Sequence, residues 1–201
     1  MHAGSRVRLI AATLVAVVVA ACPAPSAPRP PREPLAGQLV TNEFLPAPAS
    51  TDANLDGVID SSDDEFVELV STVDDELDLS GVSIYTGTSG TVLRHSFAAA
   101  TLAPHKAAVI FGGGLPALSL PSQVIVLTAS SGALSLADDG ATIELRNSTG
   151  TIIDSVTYGA ATPDVSSNRN PELTGSFVDF TSIPGSVGHY SPGKRVNGTS
   201  F

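Results

Sequence analysis

Oxygen-bearing side chains recur at short intervals in Asp52-Ala53-Asn54-Leu55-Asp56-Gly57-Val58-Ile59-Asp60-Ser61-Ser62-Asp63. Counted as a twelve-residue loop, Asp52, Asn54, Asp56, Asp60 and Asp63 stand at positions 1, 3, 5, 9 and 12, with Gly57 at position 6. A hard cation the size of calcium takes roughly six to eight oxygens, which alternate residues of a tight loop can supply, with position 7 adding a backbone carbonyl. The expected ligands are therefore Asp52, Asn54, Asp56, the Val58 carbonyl, Asp63, and Asp60 directly or through water. Gly57 permits a turn that a Cβ would resist. Ile59 is the apolar side chain expected to tie the loop back to a core. A solvated acidic turn is the plainer alternative, but such a turn does not call for glycine and isoleucine at these two positions.

Catalytic chemistry is harder to place. His95, His105 and His189 are scattered, with no metal-ligand spacing among them. No Gly-x-Ser-x-Gly elbow occurs, and Gly112-Gly113-Gly114 lacks the Lys-Ser/Thr of a phosphate loop, so it reads as a turn. Glu43 and Glu68 fall on strand-like runs that can lie side by side. Paired carboxylates can do acid/base work when their environments separate their pKa values, but strand carboxylates also commonly accept backbone hydrogen bonds, and that is the favoured reading. Asp74, Asp75, Glu76 and Asp78 read as a solvated hairpin loop rather than a second cation site. Asn147-Ser148-Thr149 and Asn197-Gly198-Thr199 match the glycosylation sequon.

Residues 1–21 read as a signal peptide: Arg6 and Arg8 precede an apolar run from Leu9 to Ala21, too short to span a bilayer comfortably. Val19-Ala20-Ala21-Cys22 resembles the bacterial lipobox, which makes Cys22, the only cysteine, the expected acyl acceptor. The resemblance implies a bacterial cell-envelope protein, anchored in the lipid bilayer through its N-terminal acyl chains and expected at the outer membrane on its periplasmic or surface face. Residues 22–36, beginning with the lipidated cysteine, are proline-rich and expected to form a polyproline II spacer. The full chain carries 10 basic and 20 acidic residues. Loss of Arg6 and Arg8 leaves 8 against 20, a formal charge near −12. Such a field disfavours nucleic acid as a partner.

Beyond the spacer, short β-rich runs alternate with Gly, Pro, Ser, Asn and Asp clusters. They are Gln38 to Phe44, Glu65 to Ser71, Val82 to Tyr85, Val92 to Phe97, Ala107 to Phe111, Gln123 to Thr128, Thr142 to Arg146 and Ile152 to Tyr158. That spacing predicts an all-β sandwich over residues 37–201. Alternation in Phe66 to Val70 and in Thr142 to Arg146 predicts one apolar and one wet face. Asn147 to Gly150 predicts a hairpin. From Pro163 onward the pattern weakens, and the tail is expected to wrap the sandwich.

These runs carry a family resemblance. Leu39-Val40-Thr41-Asn42-Glu43-Phe44, Asp64-Glu65-Phe66-Val67-Glu68-Leu69, Asp78-Leu79-Ser80-Gly81, Leu102-Ala103-Pro104, Asp154-Ser155-Val156-Thr157-Tyr158 and Ser191-Pro192-Gly193 followed by Asn197 resemble, in order and spacing, the lamin tail domain. The resemblance implies an immunoglobulin-like β-sandwich, with Val82 where the family often carries Trp and the acidic loop inserted between the first two strands. With Asp63 rather than Glu at position 12, the loop resembles dockerin calcium loops more than sensor EF-hands. Dockerins, however, carry two such loops with helices between them. The favoured function is a non-enzymatic, membrane-anchored binding or structural module, calcium-stabilised, with a protein or glycan partner at the cell surface. The alternative is a small secreted hydrolase whose site assembles from residues distant in sequence.

Overall fold

The computed structural model describes residue 1 and residues 29–201. The signal peptide and the expected acylation at Cys22 lie outside the described residues. Among the described residues the regular structure is strand, apart from a 3-10 turn at Phe180–Ser182, and no helix is long and apolar enough to cross a membrane. The strands are β1 (Leu39–Leu45), β2 (Phe66–Ser71), β3 (Leu77–Asp78), β4 (Ser83–Thr86), β5 (Val92–Ser96), β6 (Thr101–Leu102), β7 (Ala107–Phe111), β8 (Ile125–Thr128), β9 (Ala141–Arg146), β10 (Ile152–Tyr158), β11 (Ser167–Asn170) and β12 (Ser176–Asp179). All eight runs read from the sequence fall on strands, with ends within two residues.

Two sheets face each other. One has the order β12-β11-β1-β2-β7-β8, the other β10-β9-β4-β5, and β3 with β6 forms a small third sheet. The pairings are antiparallel except β7 with β8. The inner faces meet in a core built from Leu39, Phe44, Val67, Leu69 and Ile110 on one side and Ile84, Ile143, Leu145 and Val156 on the other. Val82 is fully buried there. The hairpin expected at Asn147 to Gly150 joins β9 to β10.

Two expectations need correction. Strand β9 alternates as predicted, but β2 is buried along its whole length and has no wet face. Its outer face is covered by a second apolar cluster, in which Leu45, Phe66, Val109 and Phe111 pack beneath Leu118, Val124 and Tyr190 from the connection after β7 and from the C-terminal segment. The tail also does more than wrap: β11 pairs with β1 and β12 with β11, extending the large sheet past an edge that would otherwise expose unpaired backbone groups.

A β-bulge in β1 decides where its polar residues point. Thr41 stands opposite Leu69, yet Glu43 stands opposite Glu68, so Asn42 is the extra residue. Strict alternation from Leu39 would aim Glu43 into the sandwich core; the inserted residue turns it to the outer face beside Glu68 and returns Phe44 to the core.

Residues 29–36, part of the stretch whose composition predicts a spacer, lie against the sandwich. Arg29 and Arg32 both reach Asp75, at 3.0 and 3.1 Å, and the Arg32 backbone bridges to Leu77. Glu33 accepts from the Ser148 amide at 2.8 Å. These contacts hold residues 29–36 to the sandwich.

Candidate functional site

The connection from β1 to β2 carries the acidic loop. Gly57 adopts φ +90, the left-handed turn its position calls for. Asp52 accepts from the Asp56 and Gly57 amides at 3.1 and 3.0 Å, and the Asn54 side-chain Oδ1 accepts from the Asp56 amide at 2.9 Å. Asp56 accepts from Val58 through one oxygen and from Leu115 through the other, at 2.9 and 3.0 Å. Asp60 accepts from Ser62 and Asp63 at 2.8 and 3.1 Å. These amide donors hold the Asp56 and Asp60 carboxyls below the usual carboxylate range. Asp63 goes the other way: partial burial, then the charges of Asp60, Asp56 and Asp64, push it up. The proposed ligands thus share one small loop. Their oxygens are turned mainly toward backbone amides, and among the described residues no three His, Cys, Asp or Glu side chains are gathered as a metal cage.

Ile59 does not anchor the loop; its side chain is 58% exposed, and Val58 is exposed beside it. The anchor is polar. Asp64, fully buried, accepts from the Asn54 amide at 3.0 Å and the Asp60 amide at 2.9 Å, pinning the loop at two points. Gly112-Gly113-Gly114 forms the platform beneath. A Cβ at Gly112 would strike the Ser62 carbonyl, one at Gly113 the Asp63 carboxylate, and one at Gly114 the side chains of Asp56 and Asn54. The triglycine is therefore more than a turn: only backbone without side chains lets the acidic loop sit so close.

Glu43 and Glu68 form the second polar feature, side by side on the outer face and both fully buried. Glu43 accepts from the Ser166 hydroxyl at 2.7 Å, the Ser191 amide at 2.8 Å and the Ser191 hydroxyl at 2.9 Å. Glu68 accepts from the Asn42 side-chain amide at 2.9 Å and the Gly193 amide at 2.7 Å. The expectation that these acids serve the fold by accepting hydrogen bonds is met, with the C-terminal segment supplying three of the five donors. Burial pushes Glu43 up to about 7, and burial together with the Glu43 charge raises Glu68 well above its ordinary value.

These geometries sit within an immunoglobulin-like sandwich; the quoted segments from Leu39 to Tyr158 fall on or beside its strands, whereas Ser191-Pro192-Gly193 lies beyond the last of them. The sequence model of the lamin tail domain matches residues 33–160, from the docked linker to the end of β10. The chain belongs to the lamin tail domain family. Among curated proteins, none matches it.

The remaining candidates of this lamin tail domain are dispersed. His95 is buried against Phe97, with ring centroids 4.6 Å apart. His105 meets Asp74 at 2.8 Å on the surface, and His189 is exposed. Asp75 is taken by the two linker arginines and Asp78 by the Ser80 amide and hydroxyl, so the acids at 74–78 serve separate partners. Beside the acidic loop lies a cavity of about 240 Å³, lined by Ala53, Leu55, Leu118, Tyr190, Pro192 and Lys194 among others. The sequence carries no direct sign of it, because its lining comes from three segments each more than sixty residues from the next.

Proposed function

We propose that this lamin tail domain is a non-catalytic binding or structural module, held at a bacterial membrane by acyl chains on Cys22 and stiffened by calcium at loop 52–63. One placement supports the module reading. The chain enters the sandwich where Arg32 bridges to β3, near the start of β1, whereas the acidic loop with exposed Leu55, Val58 and Ile59 leaves the far end of β1. A seven-residue strand separates the two by about 20 Å. An anchor at one end therefore presents the loop away from the bilayer, to a protein or glycan partner at the cell surface. Calcium is supported by the mutual repulsion at Asp63, which a bound cation would relieve, and by the preformed turn at Gly57.

Fatty-acid labelling and detergent-phase partition of wild type and Cys22→Ser test the anchor. Label and partition should both be lost in the variant, and a wild-type protein that takes no label refutes the lipid reading. A calcium titration tests the loop. Extracellular calcium modules bind at about 10⁻⁴ to 10⁻³ M, so roughly 2 mM calcium at a dissociation constant near 0.1 mM adds about 1.8 kcal/mol of stability. Magnesium, which demands a tighter octahedron, should shift melting much less. An unchanged melting curve across the titration refutes the calcium reading and leaves the anchor untouched.

A further inference from the structure

Glu43 and Glu68 do something the lipid and calcium readings do not touch. Two carboxylates face each other across β1 and β2, sealed from water, and among the described residues no ion pair reaches either of them. Like charges in one dry site cannot comfortably both ionise. The donors around them are neutral: two serine hydroxyls, one carboxamide and two backbone amides. Ser191-Pro192-Gly193 lies directly over the pair, and the same segment, with Val187, Tyr190 and Lys194, walls one side of the cavity next to the acidic loop.

We propose that the C-terminal segment around Ser191-Pro192-Gly193 is a proton-operated latch: a proton held by the Glu43/Glu68 pair keeps it closed over the six-stranded sheet, and loss of that proton lifts it and opens the cavity. With one proton the pair carries a single charge that the five donors solvate. With none, two charges face each other beneath a segment whose removal would admit water.

The charged surroundings favour neither side strongly. Glu172, whose carboxylate accepts the Val196 amide and lies 3.4 Å from Arg195, adds negative field to both glutamates. Strand β11 contributes Arg169, but its guanidinium turns to the Thr41 carbonyl and Asp154. Strand β7 has no titratable residue, and Lys106 just before it donates to the Phe201 carbonyl. On the segment itself, His189 is exposed, the Tyr190 hydroxyl meets Thr51, and Lys194 is half-exposed on the cavity wall.

The sign follows from proton counting. Closed, the pair holds a proton that the water-exposed open form releases near the ordinary glutamate value of about 4.3. Closure is therefore fully favoured below that value. It weakens about tenfold per pH unit, per proton, as pH rises toward the closed-state value of about 7 for Glu43, and further until Glu68 ionises.

Amide hydrogen exchange of the full chain in detergent, corrected for intrinsic base catalysis, reads the opening constant at Ser191, Gly193 and Lys194. The constant should rise about tenfold per pH unit for each proton the closed pair holds, and so up to about a hundredfold per unit from about pH 5 to 7 in wild type, where both glutamates are protonated. Glu68→Gln, which keeps the shape and removes one titrating carboxyl, should cut that slope to about tenfold per pH unit, the share of Glu43 alone. Ser191→Ala should raise the constant at every pH while keeping the slope, as a purely structural contact would. A wild-type opening constant that is flat between pH 5 and 9 overturns the proposal, and so does an unchanged slope in Glu68→Gln. Infrared spectroscopy of wild type gives a readout that needs no variant: the carbonyl stretch of a protonated buried carboxylic acid should persist at pH 6, and its absence overturns the latch.

Discussion

Replacing Asp64 by alanine should be among the most damaging single changes in the acidic loop, although Asp64 is not among the proposed calcium ligands. Its carboxylate is fully buried and accepts from the Asn54 and Asp60 amides at 3.0 and 2.9 Å. Hydrogen bonds to a charged group contribute about 1.5–3 kcal/mol each, and a donor left buried without a partner costs a similar amount. The two amides differ. Asn54 is itself fully buried, so its N–H stays unsatisfied in the variant, whereas Asp60 is exposed and its N–H can turn to water. One full penalty and one partial one sum to about 3 kcal/mol. Urea denaturation of Asp64→Ala without calcium should show that loss at an unchanged slope against denaturant, with faster amide exchange at Asn54 and Asp60. Asp74→Ala, which removes only a surface contact to His105, is the control and should change stability by less than about 1 kcal/mol. If Asp64→Ala costs no more than Asp74→Ala and exchange at Asn54 is unchanged, the buried carboxylate does not anchor the loop.

Asp56→Ala should lower the calcium-free melting temperature, since Asp56 accepts from both Val58 and Leu115, and should abolish the calcium-dependent shift; a variant that melts at or above wild type without calcium refutes the first claim. Phe44→Ala empties a fully buried site where the ring lies 4.9 Å from Tyr158 and 5.0 Å from Phe177, and should cost about 3–5 kcal/mol by denaturant titration. Burial holds the His95 imidazole below its usual range, so its contribution is fully present above about pH 6.5 and is lost progressively as pH falls below that value through the depressed folded one. His95→Leu should therefore lose less stability than wild type between pH 6.5 and 5, and an equal loss in the two proteins would exclude that origin.

The strands were legible because each is a short β-branched or aromatic run closed by turn residues, and that signal is local. What escaped was set by distant neighbours. Ser167–Asn170 reads Ser-Asn-Arg-Asn and has no intrinsic strand preference; it is a strand because β1 would otherwise be a bare edge. The alternation in β2 suggested a wet face because Glu68 is charged, yet chain from more than forty residues downstream covers that face.

The acidic loop shows the same division at finer scale. Ligand-type spacing and the glycine turn are properties of twelve consecutive residues, and Gly57 takes the φ that spacing predicts. Which residue secures the loop is not such a property. Hydropathy points to Ile59, but securing a loop whose amides turn inward takes an acceptor, and Asp64 supplies one at the cost of burying a charge. The triglycine reads as punctuation because nothing in its own neighbourhood names the carboxylates it must admit. The Glu43/Glu68 pair depends on a single inserted residue in β1, and a bulge leaves no compositional trace in a strand that otherwise reads as regular. Local chemistry was therefore readable wherever one segment makes its own geometry, and hidden wherever two segments must meet to make it.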